Sequence, residues 1–126
     1  MKGRHWLHRM RFATAGLREG WRRERSFRAH GWFALGALAA LLLLRPAPVW
    51  WALIALVAAL VMGFELINSA LEGLIDLLHP AIHPEIKVIK DMAAGAVLLM
   101  GMAAVAVAAA LLVVAGPAVL ARWGWR

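Results

Sequence analysis

The residues best able to do chemistry lie on one run, F-E-L-I-N-S-A-L-E-G-L-I-D, which carries Glu65, Asn68, Glu72 and Asp76. Their spacings of 3, 4 and 4 put all four within roughly an 80° arc of one helix face. Leu66, Ile67, Leu71, Leu74 and Ile75 cover the remaining surface. A carboxylate is expensive in hydrocarbon, so three on one stripe imply a wet, protein-lined or cation-bound site. A solvated helix end accounts for Asp76 and in part for Glu72. It accounts poorly for Glu65, which follows an uninterrupted apolar run from Val49 to Phe64. A second run, K-V-I-K-D-M-A-A-G-A, supplies Lys87, Lys90 and Asp91. Antiparallel helices joined by a short loop set Lys90 and Asp91 near the level of Glu72. Carboxylates, an amide and a lysine at one membrane face suit a magnesium–nucleotide site. Magnesium takes one or two carboxylates plus phosphate oxygens, and lysine offers the phosphates a point charge. The plainer alternative is that Lys90 snorkels to the interface and pairs with Asp91.

Other chemistries are absent or weakly signalled. Without cysteine there is no disulfide framework, thiolate zinc site or cysteine nucleophile. Neither G-x-x-x-x-G-K-[ST] nor G-x-G-x-x-G occurs, so phosphoryl transfer must use a scaffold unlike that of the soluble kinases. His79 and His83 are four apart, as zinc ligands on a helix would be, but each precedes a proline and reads as a loop residue. His5, His8 and His30 read as interfacial polar residues. Ser69 has no histidine in obvious reach.

The elements that must position these groups follow from hydropathy. The chain has 126 residues, 63% of them hydrophobic, too apolar for a soluble domain of this size. The expectation is one all-α membrane domain over 1–126. Residues 5–28 predict an amphipathic interfacial helix, with Trp6, Met10, Ala13, Leu17 and Trp21 on one face and Arg11, Arg18, Arg22 and Arg25 on the other. Three spanning helices follow over 27–45, 49–78 and 85–120. They are separated by Arg45-Pro46-Ala47-Pro48 and by His79-Pro80 to His83-Pro84. Trp50 and Trp51 read as interfacial anchors. The Ala-rich stretch with Gly95 and Gly101 predicts close helix packing. The net charge of +7 is concentrated at the start, with nine of fourteen Lys and Arg in the first 28 residues. This pattern suits anionic lipid rather than nucleic acid. With the N-terminus inside, eleven cations face the cytoplasm and three face out, as the positive-inside rule requires. Three spans are too few to wall off a polar pocket, so sites between copies of the chain are expected.

Three blocks, E-R-S-F-R at Glu24–Arg28, E-L-I-N-S-A-L-E at Glu65–Glu72 and K-D-M-A-A-G-A at Lys90–Ala96, resemble the signatures of the small bacterial membrane diacylglycerol kinase family. The resemblance runs from about Phe12 to Val105, in order and with matching spacing. It implies a three-span homotrimer of the bacterial cytoplasmic membrane that transfers the ATP γ-phosphate to a lipid hydroxyl, using Mg²⁺. By the same resemblance Glu65 is the base, Asn68 the active-site amide, and Glu24 and Glu72 the metal carboxylates. Lys90 and Asp91 meet the nucleotide phosphates, with Glu72, His83 and Phe12 also in the nucleotide set. Arg18, Trp21, Ser26, Phe27 and Arg28 form the lipid-facing set. His5 and Phe12 stand where proteobacterial members carry an arginine and a tyrosine. F-R-A-H at Phe27–His30 and H-P-E-I-K at His83–Lys87 are similar to the Gram-positive branch, which includes undecaprenol kinases. Diacylglycerol is the expected acceptor, with undecaprenol the alternative.

Two other classes compete. A proton- or cation-coupled transporter predicts carboxylates spread through the membrane depth. Here they crowd toward one end of one helix, and the third span is uncharged after Asp91 until Arg122. A non-catalytic adaptor docking through its basic helix gives no reason for Glu65 or Asn68.

Overall fold

A computed structural model describes residues 2–124, with side chains from His5 onward. Four helices follow one another: α1 Lys2–Arg23, α2 Arg25–Leu44, α3 Pro48–Leu78 and α4 Pro84–Arg122. The last three are each long and apolar enough to cross a membrane. The boundaries have local causes. Pro48 and Pro84 each open a helix, where the missing amide donor is no loss and the fixed φ is already helical. His83 Nδ1 accepts from the Glu85 amide at 3.1 Å and caps α4. Arg45, held ahead of Pro46, closes α2 in the left-handed region at φ 48°, its amide donating to the Leu41 carbonyl.

The segment expected to be one helix over 5–28 is two. α1 stops at Arg23, Glu24 takes an extended conformation (φ −103°, ψ 109°), and α2 starts at Arg25. The corner is stitched by Arg28, whose Nη1 donates to the carbonyls of Trp21 at 2.7 Å and Arg22 at 2.9 Å. A cation on the last carbonyls of a helix satisfies orphan acceptors and complements the helix dipole. The Trp21 ring lies against Gly31 and edge-on to Phe27, which is buried. A second close approach sets Gly20 of α1 against the Leu66 side chain of α3. The two glycines thus let α1 fold back across the end of the α2–α3 pair that holds Glu65.

The packed core lies at the opposite end. Leu41, Leu44, Ile54, Leu111 and Ala115 form it, where α2 ends, α3 begins and α4 ends. Trp50 and Trp51 pack against this cluster as well as marking the helix start. Arg122 reaches across and donates from Nη2 to the Leu44 carbonyl at 2.8 Å. Away from this closed end the helices leave a groove of about 960 Å³, lined by His30 and Phe33 of α2, Val57 and Val61 of α3, and Leu98 and Gly101 of α4. The chain exposes 9870 Å². A compact soluble protein of 13.8 kDa exposes roughly 6,600 Å². The excess is largely apolar, Phe33, Leu98, Val105 and Val113 among it, which fits lipid contact.

Candidate active site

The buried face of α3 changes character along its length. Ile54 and Val61 occupy it near the core, then Glu65 and Asn68 continue it, and half-buried Glu72 follows. A rise of 1.5 Å per residue places Glu65 about 26 Å from Pro48, still within a hydrocarbon layer of roughly 30 Å, and Glu72 about 36 Å away, beyond it. By length, the stripe therefore runs from one edge of an apolar layer toward the headgroup region. Glu65 is only 8% exposed although no partner chain is present. The ionisable side chain beside it among the described residues is His30, with Nε2 lying 3.6 Å from Oε2. Asn68 donates from Nδ2 to Glu72 Oε1 across a long 3.5 Å, and its own Oδ1 is buried with no hydrogen-bond partner. An orphaned acceptor beside a carboxylate is where a donor or a cation is needed.

Lys90 and Asp91 are both at this end, but not as a pair. Lys90 Nζ donates to Asp76 Oδ1 at 2.6 Å, tying α4 to α3, while Asp91 is held by Lys87, also at 2.6 Å. The cause is helical register: Lys87 and Asp91 are one turn apart, and the α3–α4 hairpin brings Asp76 level with Lys90. The structure thus joins Glu65, Asn68 and Glu72 on one stripe and anchors Lys90 one turn beyond it. Glu24 occupies the α1–α2 corner, half-buried, and no ion pair holds it among the described residues. Glu19 instead takes the arginines: Arg22 and Arg23 both bond its Oε2 at 2.8 Å. The Arg22 hydrogen bond holds the Glu19 carboxyl below its ordinary value and raises Arg22 in return. No three His, Asp or Glu side chains converge as a ready cation site among the described residues. A magnesium ion that takes most of its ligands from phosphates and water does not require one, and Glu72 with the free Asn68 Oδ1 suits that mode.

The remaining expected residues serve several ends. Phe12, Arg18 and Ser26 are exposed, Phe12 and Arg18 on α1 and Ser26 on the first turn of α2. Trp21, Phe27 and Arg28 build the α1–α2 corner, with Phe27 buried and Trp21 still exposed, and His83 caps α4 from an exposed position. His30 is the residue that sequence reasoning passed over. Hairpin counting would have found it: with the α2–α3 turn centred near Pro46, His30 stands level with Met62, within one turn of Glu65.

An all-helical membrane protein with a carboxylate–amide stripe at the open end of its bundle is the class that fold and site define. The profile of the prokaryotic diacylglycerol kinase family matches residues 11–112, and the chain belongs to that family. It is 41% identical over 103 residues to a diacylglycerol kinase of Synechocystis sp., covering 81% of this chain and 59% of that protein. It is 36% identical over 85 residues to an undecaprenol kinase of Bacillus subtilis, covering 68% of this chain and 69% of that protein. The chain thus spans about three fifths of the Synechocystis relative's length.

Proposed function

We propose that this protein is a lipid kinase that transfers the γ-phosphate of ATP to the hydroxyl of diacylglycerol, giving phosphatidic acid and ADP. The observation that carries this reading is the buried Glu65 at the inner end of an apolar helix, one stripe with Asn68 and Glu72, in a chain of this family. Glu65 takes the proton of the lipid hydroxyl as that oxygen forms its bond to the γ-phosphorus and the bond to the ADP oxygen breaks. Placed at the edge of the hydrocarbon, it meets an acceptor that stays in the bilayer. Phosphoryl transfer needs chiefly alignment and charge neutralisation. Lys90 offsets phosphate charge after exchanging Asp76 for the nucleotide, and Asn68 orients the reacting groups. Glu24 and Glu72 are the residues that would hold Mg²⁺, which when bound screens the phosphates and favours the departure of ADP.

Because no three-ligand cation cluster forms among the described residues and the groove is open, the reading includes a homotrimer whose sites are shared between copies. The positive-inside distribution supports a multi-pass protein of the bacterial cytoplasmic membrane with its N-terminus and the Glu65 end cytoplasmic. α1, with Trp6, Met10 and Leu17 exposed beside its arginines, would lie in the interface over the site. Undecaprenol is the second acceptor, favoured by the fuller coverage of the Bacillus relative. The test is phosphate transfer from γ-labelled ATP in detergent–lipid micelles, with diacylglycerol and undecaprenol assayed in parallel and with EDTA controls. Magnesium-dependent labelling of diacylglycerol in excess of undecaprenol is the expected result. The reverse preference assigns the second acceptor, and labelling of neither by folded protein overturns the kinase reading.

A further inference from the structure

The apolar groove is the feature of the bundle that the reaction scheme leaves unused. It exists because the facing positions are small: Ala34 and Ala37 of α2, Ala58 of α3, and Gly101, Ala104 and Ala108 of α4 all line it. A Cβ added at Gly101 meets nothing within 4 Å, so the space is empty even beside the α4 backbone. His30 is the one polar side chain among the lining residues. The Lys90–Asp76 bond fixes the offset of the α3–α4 hairpin, which puts Gly101 level with Glu65 and Ala108 level with Ala58. From Gly101 to Ala108 the helix advances about 10 Å, and just beyond, Leu41, Ile54 and Leu111 close the end. In the other direction Ala94 carries the lining on to the level of Glu72. On α3 one buried face holds Ile54, Val61 and then Glu65 a turn later. Below the level of the candidate base the groove is thus a blind apolar channel about 10 Å deep.

We propose that this groove is the berth of the lipid acceptor's hydrocarbon chain, holding the first stretch of one chain below the hydroxyl, with Gly101, Ala104 and Ala108 setting its clearance. The proposal rests on the lipid-kinase reading and names the part of the acceptor that the site recognises. A volume of about 960 Å³ and an apolar lining with one polar side chain are those of a small-molecule site. Its shape suits a chain better than a helix of a second copy. A spanning helix is roughly 10 Å across and continues through both leaflets, so it would run into the closed end. A chain can stop there or turn out sideways into the bilayer. The hydrocarbon of one leaflet is about 15 Å deep, so the berth holds the head-proximal part of the chain and leaves the remainder among the lipids. Selection therefore falls on the segment next to the hydroxyl rather than on total chain length.

The experiment plugs the groove at two depths, with Gly101→Leu at the level of Glu65 and Ala108→Leu near the closed end. Gly36→Leu is the control, since Gly36 also has open space around it but does not line the groove. Leucine is a good helix former, so all three should fold, as gel filtration will check. Phosphate transfer is measured with dibutyrylglycerol and with dioleoylglycerol. Gly101→Leu should raise KM for both about tenfold, the worth of roughly two displaced methylenes, with KM for Mg-ATP unchanged. Ala108→Leu should raise KM for dioleoylglycerol about tenfold and leave that for dibutyrylglycerol at the parental value. Gly36→Leu should match the parent throughout. A second arm needs no turnover: a diacylglycerol with a diazirine in the proximal half of one chain should label α4 between Leu98 and Leu111. Unlabelled diacylglycerol should compete more strongly than phosphatidylcholine. Plugged proteins with parental KM values overturn the berth, and so does labelling that both lipids displace equally, which marks ordinary bilayer lipid. Plugs that shift the gel-filtration position and leave lipid KM alone assign the groove to a second copy instead. A parent that is photolabelled in the groove but phosphorylates no diacylglycerol keeps the berth and removes the kinase reading, whereas an active parent with unaffected plugs removes the berth alone.

Discussion

Glu65 and Lys90 carry opposite kinds of information about how far single residues can be read. Glu65 was legible from sequence because an acid after sixteen apolar residues has no inexpensive solvated alternative, and the structure buries it. The partner of Lys90 was not legible, since i,i+4 spacing offered Lys87 and Asp91 to each other and the choice of Asp76 depends on the offset between α3 and α4. Glu24, surrounded by arginine in sequence, has none as an ion-pair partner among the described residues, because the helix breaks at that residue and leaves Glu19 to take the pairs. Two predictions belong at this scale. Glu65→Gln should lower kcat by about 10²–10⁴, the usual worth of a general base, with an unchanged melting temperature, checked by labelled-phosphate transfer and thermal unfolding. The Lys90–Asp76 pair is partly solvated, and such pairs contribute about 0–1 kcal/mol. Asp76→Asn should therefore barely move stability, while Lys90→Met raises KM for the nucleotide about tenfold or more; equal KM values for the two variants would remove Lys90 from the nucleotide site.

Among the elements, the spanning helices were legible to within a few residues because prolines mark the turns and hydropathy marks the lengths. The α1–α2 corner was not. No proline or glycine between Trp21 and Phe27 marks a break, and what divides the helix is tertiary: two glycines and an arginine that reward a fold-back over α3. The glycines differ in kind. A methyl on Gly20 meets the free end of Leu66, which can rotate away. A methyl on Gly31 meets the Trp21 ring, pinned between Phe27 and Trp32. Gly31→Ala should thus destabilise by about 1–3 kcal/mol, the cost typical of overpacking, and release α1, seen as faster proteolysis within residues 5–23. Gly20→Ala should stay close to the parent in both measurements. Equal behaviour of the two would mean that α1 is not held by this contact.

At the scale of the molecule, one chain is tight at one end and open at the other, which is what a protein needs if its reaction site is completed elsewhere. The sequence foretold incomplete enclosure through the count of three spans, but not where the gap would fall; that depends on which halves of the helices hold alanine and which hold leucine and tryptophan. If Glu24 of one copy serves Glu65 of the next, coexpressing Glu24→Gln with Glu65→Gln should return about a quarter of parental activity, as random mixing in a closed ring predicts. A site contained in one chain would return none. The closed end has a further consequence, which concerns time. Arg122 reaches back 78 residues to the Leu44 carbonyl. A growing chain emerges from its N-terminus, so the first hairpin enters the bilayer while its latch has yet to be synthesised. Until then that carbonyl must borrow water from the lipid surface. The bundle therefore locks at its far end only after α4 has been made, and the first hairpin must hold its place in the bilayer without that latch.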